Sequence, residues 1–218
     1  MTNWEKAMQT LDYLEIAPFE LSKDDYLFLL KAGDESRDKE GDEWKANSFL
    51  AGHIRNEYNI NLDERSVEFQ RFILSVTDHE IFDRYKASMS IVDQQRPFCL
   101  TKLWINYQKK YEFNPMHVHL GIFSFVIFMK IPYDLEQEDK VFKDIVQLDD
   151  GQPEIRTSRF AFINPDHLYG LRQYPIHVDK SFEGKGFMFR SKQAHTVYPF
   201  YTSDDTRITV SGNIVVKV

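Results

Sequence analysis

With 218 residues, 42% hydrophobic and 15% aromatic, the chain can bury a substantial core as one compact domain, and its net charge of -7 is the wrong sign for a dedicated nucleic-acid binder. One cysteine, Cys99, excludes an internal disulfide, fits a reducing compartment and reads as a small buried hydrophobe rather than a nucleophile. The Met1-Thr2-Asn3-Trp4-Glu5-Lys6 start lacks a secretory pattern, and the longest apolar run, Ile122 to Met129, is too short to span a bilayer. A soluble cytoplasmic protein is predicted.

The first part of the chain reads as helical. Ser22 is a predicted N-cap for a helix opening at Lys23-Asp24-Asp25 and ending at Ala32-Gly33-Asp34, with a charged loop from Asp34 to Asp42. Trp44 to Tyr58 has Ala46, Phe49, Leu50 and Ile54 at helical spacing, and Ser66 to Met89 carries a longer stripe of Phe69, Phe72, Ile73, Val76, Ile81, Phe82 and Tyr85. These stripes predict core-facing packing.

Near Pro97 the pattern turns strand-like: Cys99 to Tyr107, His119 to Met129, Phe160 to Ile163, Gly186 to Phe189, Thr196 to Phe200 and Arg207 to Val216. Pro165-Asp166, Gly170 and Gly184-Lys185-Gly186 read as turns. Both parities of Phe123 to Met129 are apolar, which predicts a strand buried between a second sheet and the N-terminal helices. Tyr133 to Ser158, with Asp134, Glu136, Glu138, Asp139, Asp149 and Asp150, reads as an acidic irregular segment: a lid, a substrate loop or a solvated surface loop. The predicted fold is mainly β with N-terminal helices (α+β): residues 1–96 pack as a helical region on an antiparallel double-sheet, jelly-roll core at 97–218.

His117-Val118-His119 lies on a strand-like run, where residues two apart share a face, so both imidazoles can aim at one point. His195, on a returning strand, would add a third. Metal-binding ligands on one face with open positions opposite suit a non-haem Fe(II) oxygenase centre. His53 and His79 read as helical surface or core residues, and His167 and His177 lie in turn-rich sequence. Neither a nucleophile elbow nor an HExxH zinc signature is present. Downstream, Arg207, Thr209, Ser211 and Asn213 share one parity while Ile208, Val210, Gly212 and Ile214 share the other. An arginine beside hydroxyls on an inward face suits an acidic cosubstrate; an exposed strand face, or an Arg207–Asp ion pair, is the alternative. Asn106, in Leu103-Trp104-Ile105-Asn106-Tyr107, is a further candidate cosubstrate contact.

Trp104-Ile105-Asn106, Phe113-Asn114-Pro115, His117-Val118-His119-Leu120-Gly121 and Ser124, followed by Gly186 to Phe189, His195-Thr196-Val197-Tyr198-Pro199 and Arg207 to Asn213, resemble the 2-oxoglutarate/Fe(II)-dependent oxygenases with an H-x-H motif found in bacteria and marine tailed phages. The resemblance covers roughly Phe98 to Val218. It implies a double-stranded β-helix, Fe(II), 2-oxoglutarate and O2, with His117 and His195 as iron ligands and Arg207 on the far carboxylate of 2-oxoglutarate. Most 2-oxoglutarate oxygenases place Asp or Glu where this chain has His119, and the glutamate that follows the His pair in typical cupins is missing.

The leading expectation is an oxygenase with Fe(II) on His117, His119 and His195, and 2-oxoglutarate on Arg207 with Thr209 or Ser211, hydroxylating an unknown substrate in the cytoplasm (the host's, if phage-encoded). The alternatives are a three-His dioxygenase that uses no 2-oxoglutarate, and a non-catalytic phage structural or binding protein that keeps the fold. Exposed edge strands of such rolls can pair, so a homo-oligomer stays open; no nucleic-acid or membrane partner is expected.

Overall fold

The computed structural model describes residues 1–39, 41–47, 50, 52–89, 98–146, 157–166, 168 and 170–217. Phe49, Pro97, Asp149, Asp150 and His167 lie outside the described residues. In chain order the elements are α1 (Asn3–Tyr13), β1 (Ala17–Glu20), α2 (Lys23–Arg37), β2 (Glu57–Asn59), α3 (Val67–Ser75), α4 (Asp83–Ser88), β3 (Phe98–Gln108), β4 (Asn114–His117), β5 (Phe123–Lys130), α5 (Leu135–Val146), β6 (Phe160–Asp166), β7 (Gly170–Ile176), β8 (Lys185–Arg190), β9 (Ala194–Val197) and β10 (Arg207–Val216). Short 3-10 turns flank several helices.

The strands form a six-stranded sheet in the order β1-β8-β5-β10-β3-β2 and a four-stranded sheet in the order β4-β9-β6-β7. Every pairing within them is antiparallel. Two such sheets, face to face, are the double-stranded β-helix that the sequence predicts. Strand β5 explains why they stay together. Its Val126 and Phe128 pack with Phe160, Phe162 and Phe187 between the sheets. Its Phe123, Phe125, Ile127 and Met129 pack outward against Leu29, Phe69, Ile73 and Phe82 of the N-terminal region. A strand buried on both faces must be apolar at both parities.

Ser22 caps α2, its Oγ accepting from the Asp25 N–H at 3.0 Å. The helix does not stop at Gly33 but continues to Arg37, because Ala32, Gly33 and Ser36 are buried and tertiary packing outweighs the poor helix propensity of glycine. Trp44 to Tyr58 is not a helix. Its described residues hold a 3-10 turn ending at Trp44 and the start of β2, with no α-helix among them, while Ala46 and Ile54 are buried without helical spacing being used. Ser66 to Met89 is broken into α3, two 3-10 turns and α4; the break falls at His79, whose backbone is extended and whose Nδ1 accepts from Ile81 N–H at 3.2 Å.

Pro165 and Asp166 end β6 rather than forming a turn, and Gly170 opens β7 in the left-handed region at φ 77°. The returning strand is β9, two residues earlier than the Thr196 start predicted.

The acidic segment after Tyr133 is not irregular throughout: it holds α5. The buried Glu138 of that helix accepts from the Tyr201 and Thr202 N–H groups at 2.7–3.0 Å and from the Thr202 and Thr157 hydroxyls at 2.6 and 3.2 Å. Its charge is spent on fixing α5 to the chain that follows β9. Among the described residues, no helix is long and apolar enough to cross a membrane.

Candidate active site

The inner face of the six-stranded sheet is built in rows across its strands. Phe128, Thr209, Asn106 and Glu57 stand opposite one another on β5, β10, β3 and β2; Val126, Ser211, Trp104 and Asn59 form the next row. The alternation read in β10 therefore holds: Thr209 and Ser211 line a cavity between the sheets, with Arg207, while Val210 and Ile214 join the outer core.

His117, His119 and His195 meet in that cavity, with one ligand atom from each lying within 4.8 Å of the others. His117 is the last residue of β4 and stands opposite His195 of β9. His119 does not share their strand geometry. It lies in the turn after β4, where its N–H donates to the Ser191 carbonyl at 2.8 Å. Gly121 then takes φ 114°, with its α-carbon so close to Ile214 that an added Cβ would sit 2.8 Å from the Ile214 oxygen. This bend, not a shared strand face, brings the second imidazole back toward the first.

The backbone sets the tautomers. His117 Nδ1 lies 2.7 Å from the Pro115 oxygen and His195 Nδ1 lies 2.9 Å from the Gln193 oxygen. A carbonyl only accepts, so each Nδ1 carries the proton and each Nε2 keeps its lone pair for a metal. His119 Nε2 is 3.2 Å from His195 Nε2. Burial holds all three rings neutral: it lowers the pKa of His117, pushes that of His119 down to about 3 with help from His117, and takes that of His195 well below 6.5 with help from both neighbours. Phe160 stacks on His195 with centroids 5.4 Å apart, and Trp104 and Phe189 flank His119.

Arg207 is 1% exposed, and none of its three guanidinium nitrogens has a hydrogen-bond partner. It packs over Phe128 at 5.8 Å and makes no ion pair with an Asp among the described residues. A buried, unpaired guanidinium is costly unless an anion completes it. Asn106 Nδ2 donates to Thr209 Oγ1 at 3.1 Å beside it. The cavity encloses about 40 Å³, and the half-buried Leu50 and Val197 are among its apolar lining. His53 stacks on Phe113 away from this cluster, and His79 caps its 3-10 turn.

Two polar cavity-lining residues, Glu57 and Gln108, escape the sequence reading, and Asn114 enters it only within the resemblance. Glu57 lies at the end of the stretch misread as helix, and its place depends on a three-residue pairing with β3 that no local pattern announces. Asn114 precedes Pro115 and His117 and was legible only as part of that motif.

The family described as "Putative 2OG-Fe(II) oxygenase" matches residues 102–213, just over half of the chain. The chain belongs to this family. Membership makes the protein an enzyme of the 2-oxoglutarate/Fe(II) class, a family that implies Fe(II) as metal and 2-oxoglutarate as cosubstrate. No curated protein matches the oxygenase at a significant level. Among solved structures, a Pseudomonas putida prolyl-4-hydroxylase aligns with a TM-score of 0.51 at 12% identity, covering 98% of each chain, and shares the fold. A 2OG-Fe(II) oxygenase-family oxidoreductase from Burkholderia pseudomallei aligns at 0.49 and 12% identity over 99% of this chain and 90% of that one. A viral collagen prolyl hydroxylase from Paramecium Bursaria Chlorella virus-1, in complex with 2OG, aligns at 0.48 and 9% identity over 94% of this chain and 97% of that one.

The donor set fits the family's metal. Three neutral imidazoles, two with their tautomers fixed, converge at one part of the cavity, and an orphaned guanidinium lines another.

Proposed function

We propose that His117, His119 and His195 hold the Fe(II) and that Arg207 takes the distal carboxylate of 2-oxoglutarate, with Thr209, Ser211 and Asn106 lining its path, in an oxygenase that hydroxylates a substrate. The observation that carries this is the pairing, in one cavity, of a three-imidazole cluster with a buried arginine that has no partner. When bound, iron of this class couples oxidative decarboxylation of 2-oxoglutarate to insertion of an oxygen atom from O2 into a substrate C–H bond.

The chain's own residues prepare that chemistry. The Pro115 and Gln193 carbonyls hold His117 and His195 with Nε2 unprotonated. Phe160, Phe189 and Trp104 pack against the His119 and His195 rings and give the cluster an apolar wall. Arg207 orients a diacid through charge-assisted bonds, and the Asn106–Thr209 bond stiffens the wall beside it. Three neutral ligands leave the ion's full positive charge in the site, and a dianionic cosubstrate compensates that charge. We read residues 1–96 as the backing of the 97–218 core, and the single cysteine as fitting a reducing cytoplasm.

His119, standing where the resemblance leads to an Asp or Glu, favours one second reading: a three-His dioxygenase that uses no 2-oxoglutarate. Anaerobic titration of Fe(II) with and without 2-oxoglutarate separates the two. A visible charge-transfer band that needs both components supports the first reading. Iron binding with no such band, and iron-dependent O2 uptake indifferent to loss of Arg207, supports the second.

A further inference from the structure

Arg207 accounts for the donor-rich part of the cavity, but the same cavity also has an acceptor-rich wall that a diacid does not satisfy. Glu57 is 1% exposed and its Oε1 has no hydrogen-bond partner. Its Oε2 accepts from Asn47 Nδ2 at 3.1 Å, so the side chain is held in place rather than swinging free. Directly opposite on β3, Asn106 spends its Nδ2 on Thr209 and leaves Oδ1 without a partner. Asn114, from the facing sheet, lines the cavity with another unpartnered Oδ1. Buried acceptors without donors ask for a ligand rich in N–H groups.

Glu57 does not serve Arg207. Strand β3 lies between β2 and β10, and neighbouring strands are about 4.8 Å apart, which separates the Glu57 and β10 positions by about 10 Å. No ion pair joins them, and Arg207 sits in a different row, opposite Gln108. Charge at Glu57 is also uncompensated: burial first, and the neighbouring Glu112 second, push its pKa up to about 7. Glu112 is already engaged by the Arg55 and Lys109 backbone.

We propose that Glu57, with Asn106 beside it, forms the subsite for the primary substrate and reads a cationic nitrogen group, an aliphatic ammonium or guanidinium, on it. This rests on the oxygenase reading of the same cavity. Arg207 and Glu57 then divide it by charge: the anionic cosubstrate on one, the cationic end of the substrate on the other. Asn106 spans the two, bonded to Thr209 and offering Oδ1 toward the second ligand.

The test is calorimetric titration of n-butylguanidinium at pH 8, with 1-butanol as the neutral control, into the metal-free protein and into the anaerobic Fe(II)·2-oxoglutarate complex. Wild type should bind the guanidinium, and Glu57→Gln should bind it at least tenfold more weakly, with Glu57→Asp falling between. Circular dichroism on both variants separates lost binding from lost fold, and the shorter acid gives a second reading if the amide does not fold. Equal affinity in wild type and a folded Glu57→Gln, no binding to wild type, or butanol binding as tightly as the cation, would each overturn the assignment. The 2-oxoglutarate titration is scored separately. Its absence in wild type would sink the cosubstrate reading, while the metal-free guanidinium titration still decides Glu57.

Discussion

His117 and His195 face each other across the β4–β9 pairing, with ring centroids 4.2 Å apart, and each donates its Nδ1 proton to a backbone oxygen two residues before it. The same i to i-2 contact on two antiparallel strands turns both Nε2 lone pairs into the space that His119 closes. Replacing His195 by Ala removes the deepest of the three donors. Since losing even an outer hydrogen-bond partner of a metal ligand costs about 10–100-fold in affinity, His195→Ala should weaken Fe(II) binding by at least about 100-fold. Anaerobic metal titration checks this, and near-wild-type affinity in a folded variant would remove His195 from the metal site.

Arg207→Met separates stability from binding. The guanidinium is buried and unpaired, and replacing a buried charge with a well-packed apolar side chain is often stabilising by about 1–4 kcal/mol. The ligand-free variant should therefore melt at or above the wild-type temperature. A buried charge pair broken on one side costs about 2–5 kcal/mol, so 2-oxoglutarate affinity should fall about 100-fold or more. A variant that melts lower and still binds 2-oxoglutarate normally would make Arg207 structural.

How far the sequence could be read follows from the range of the interactions involved. The polar–apolar alternation of β10 and the two-sided run of β5 are local patterns, and both survive as the cavity wall and the central buried strand. The capping hydroxyl of Ser22 is local too. The helix expected from Trp44 to Tyr58 is absent among the described residues because apolar spacing alone cannot tell a helix from chain whose Ala46 and Ile54 are buried by tertiary contacts. Helix α5 hid behind its acidic residues: Glu138 looks solvated in sequence, and only the donors of Tyr201, Thr202 and Thr157 show that it is interior. The His-x-His pair was right in outcome but not in geometry, since His119 reaches the cluster through a turn. Glu57 was invisible because its neighbours come from β3, about fifty residues away in the chain.

That turn makes Gly121 a remote control on the metal site. Its φ of 114° disfavours any other residue, and a Cβ would press on the Ile214 carbonyl. Gly121→Ala should cost about 1–3 kcal/mol of stability. It should also displace His119, two residues away, and lower metal affinity while leaving His117 and His195 in place. Thermal unfolding and Fe(II) titration of the same variant test both effects; a loss of stability with unchanged metal binding would show that the strain relaxes away from His119.

Acid should expose the histidine cluster. His119 is held down to about 3 in the folded chain against 6.5 ordinarily, so below 6.5 the unfolded state takes up protons that the folded state refuses. The stability it contributes is complete above about 6.5 and drains away as pH falls toward 3. Glu57 acts with the opposite sign. Its folded pKa of about 7 exceeds 4.5, so its contribution is present below 4.5 and lost as pH rises through 7. Metal-free wild type should therefore show opposed slopes between pH 4.5 and 6.5. His119→Ala should flatten the acid loss, and Glu57→Gln should gain stability over wild type at pH 8 relative to pH 5. Melting temperatures across pH 3–8 for the three proteins decide it: if Glu57→Gln tracks wild type throughout, the Glu57 carboxyl is not the desolvated acid that the cavity makes it.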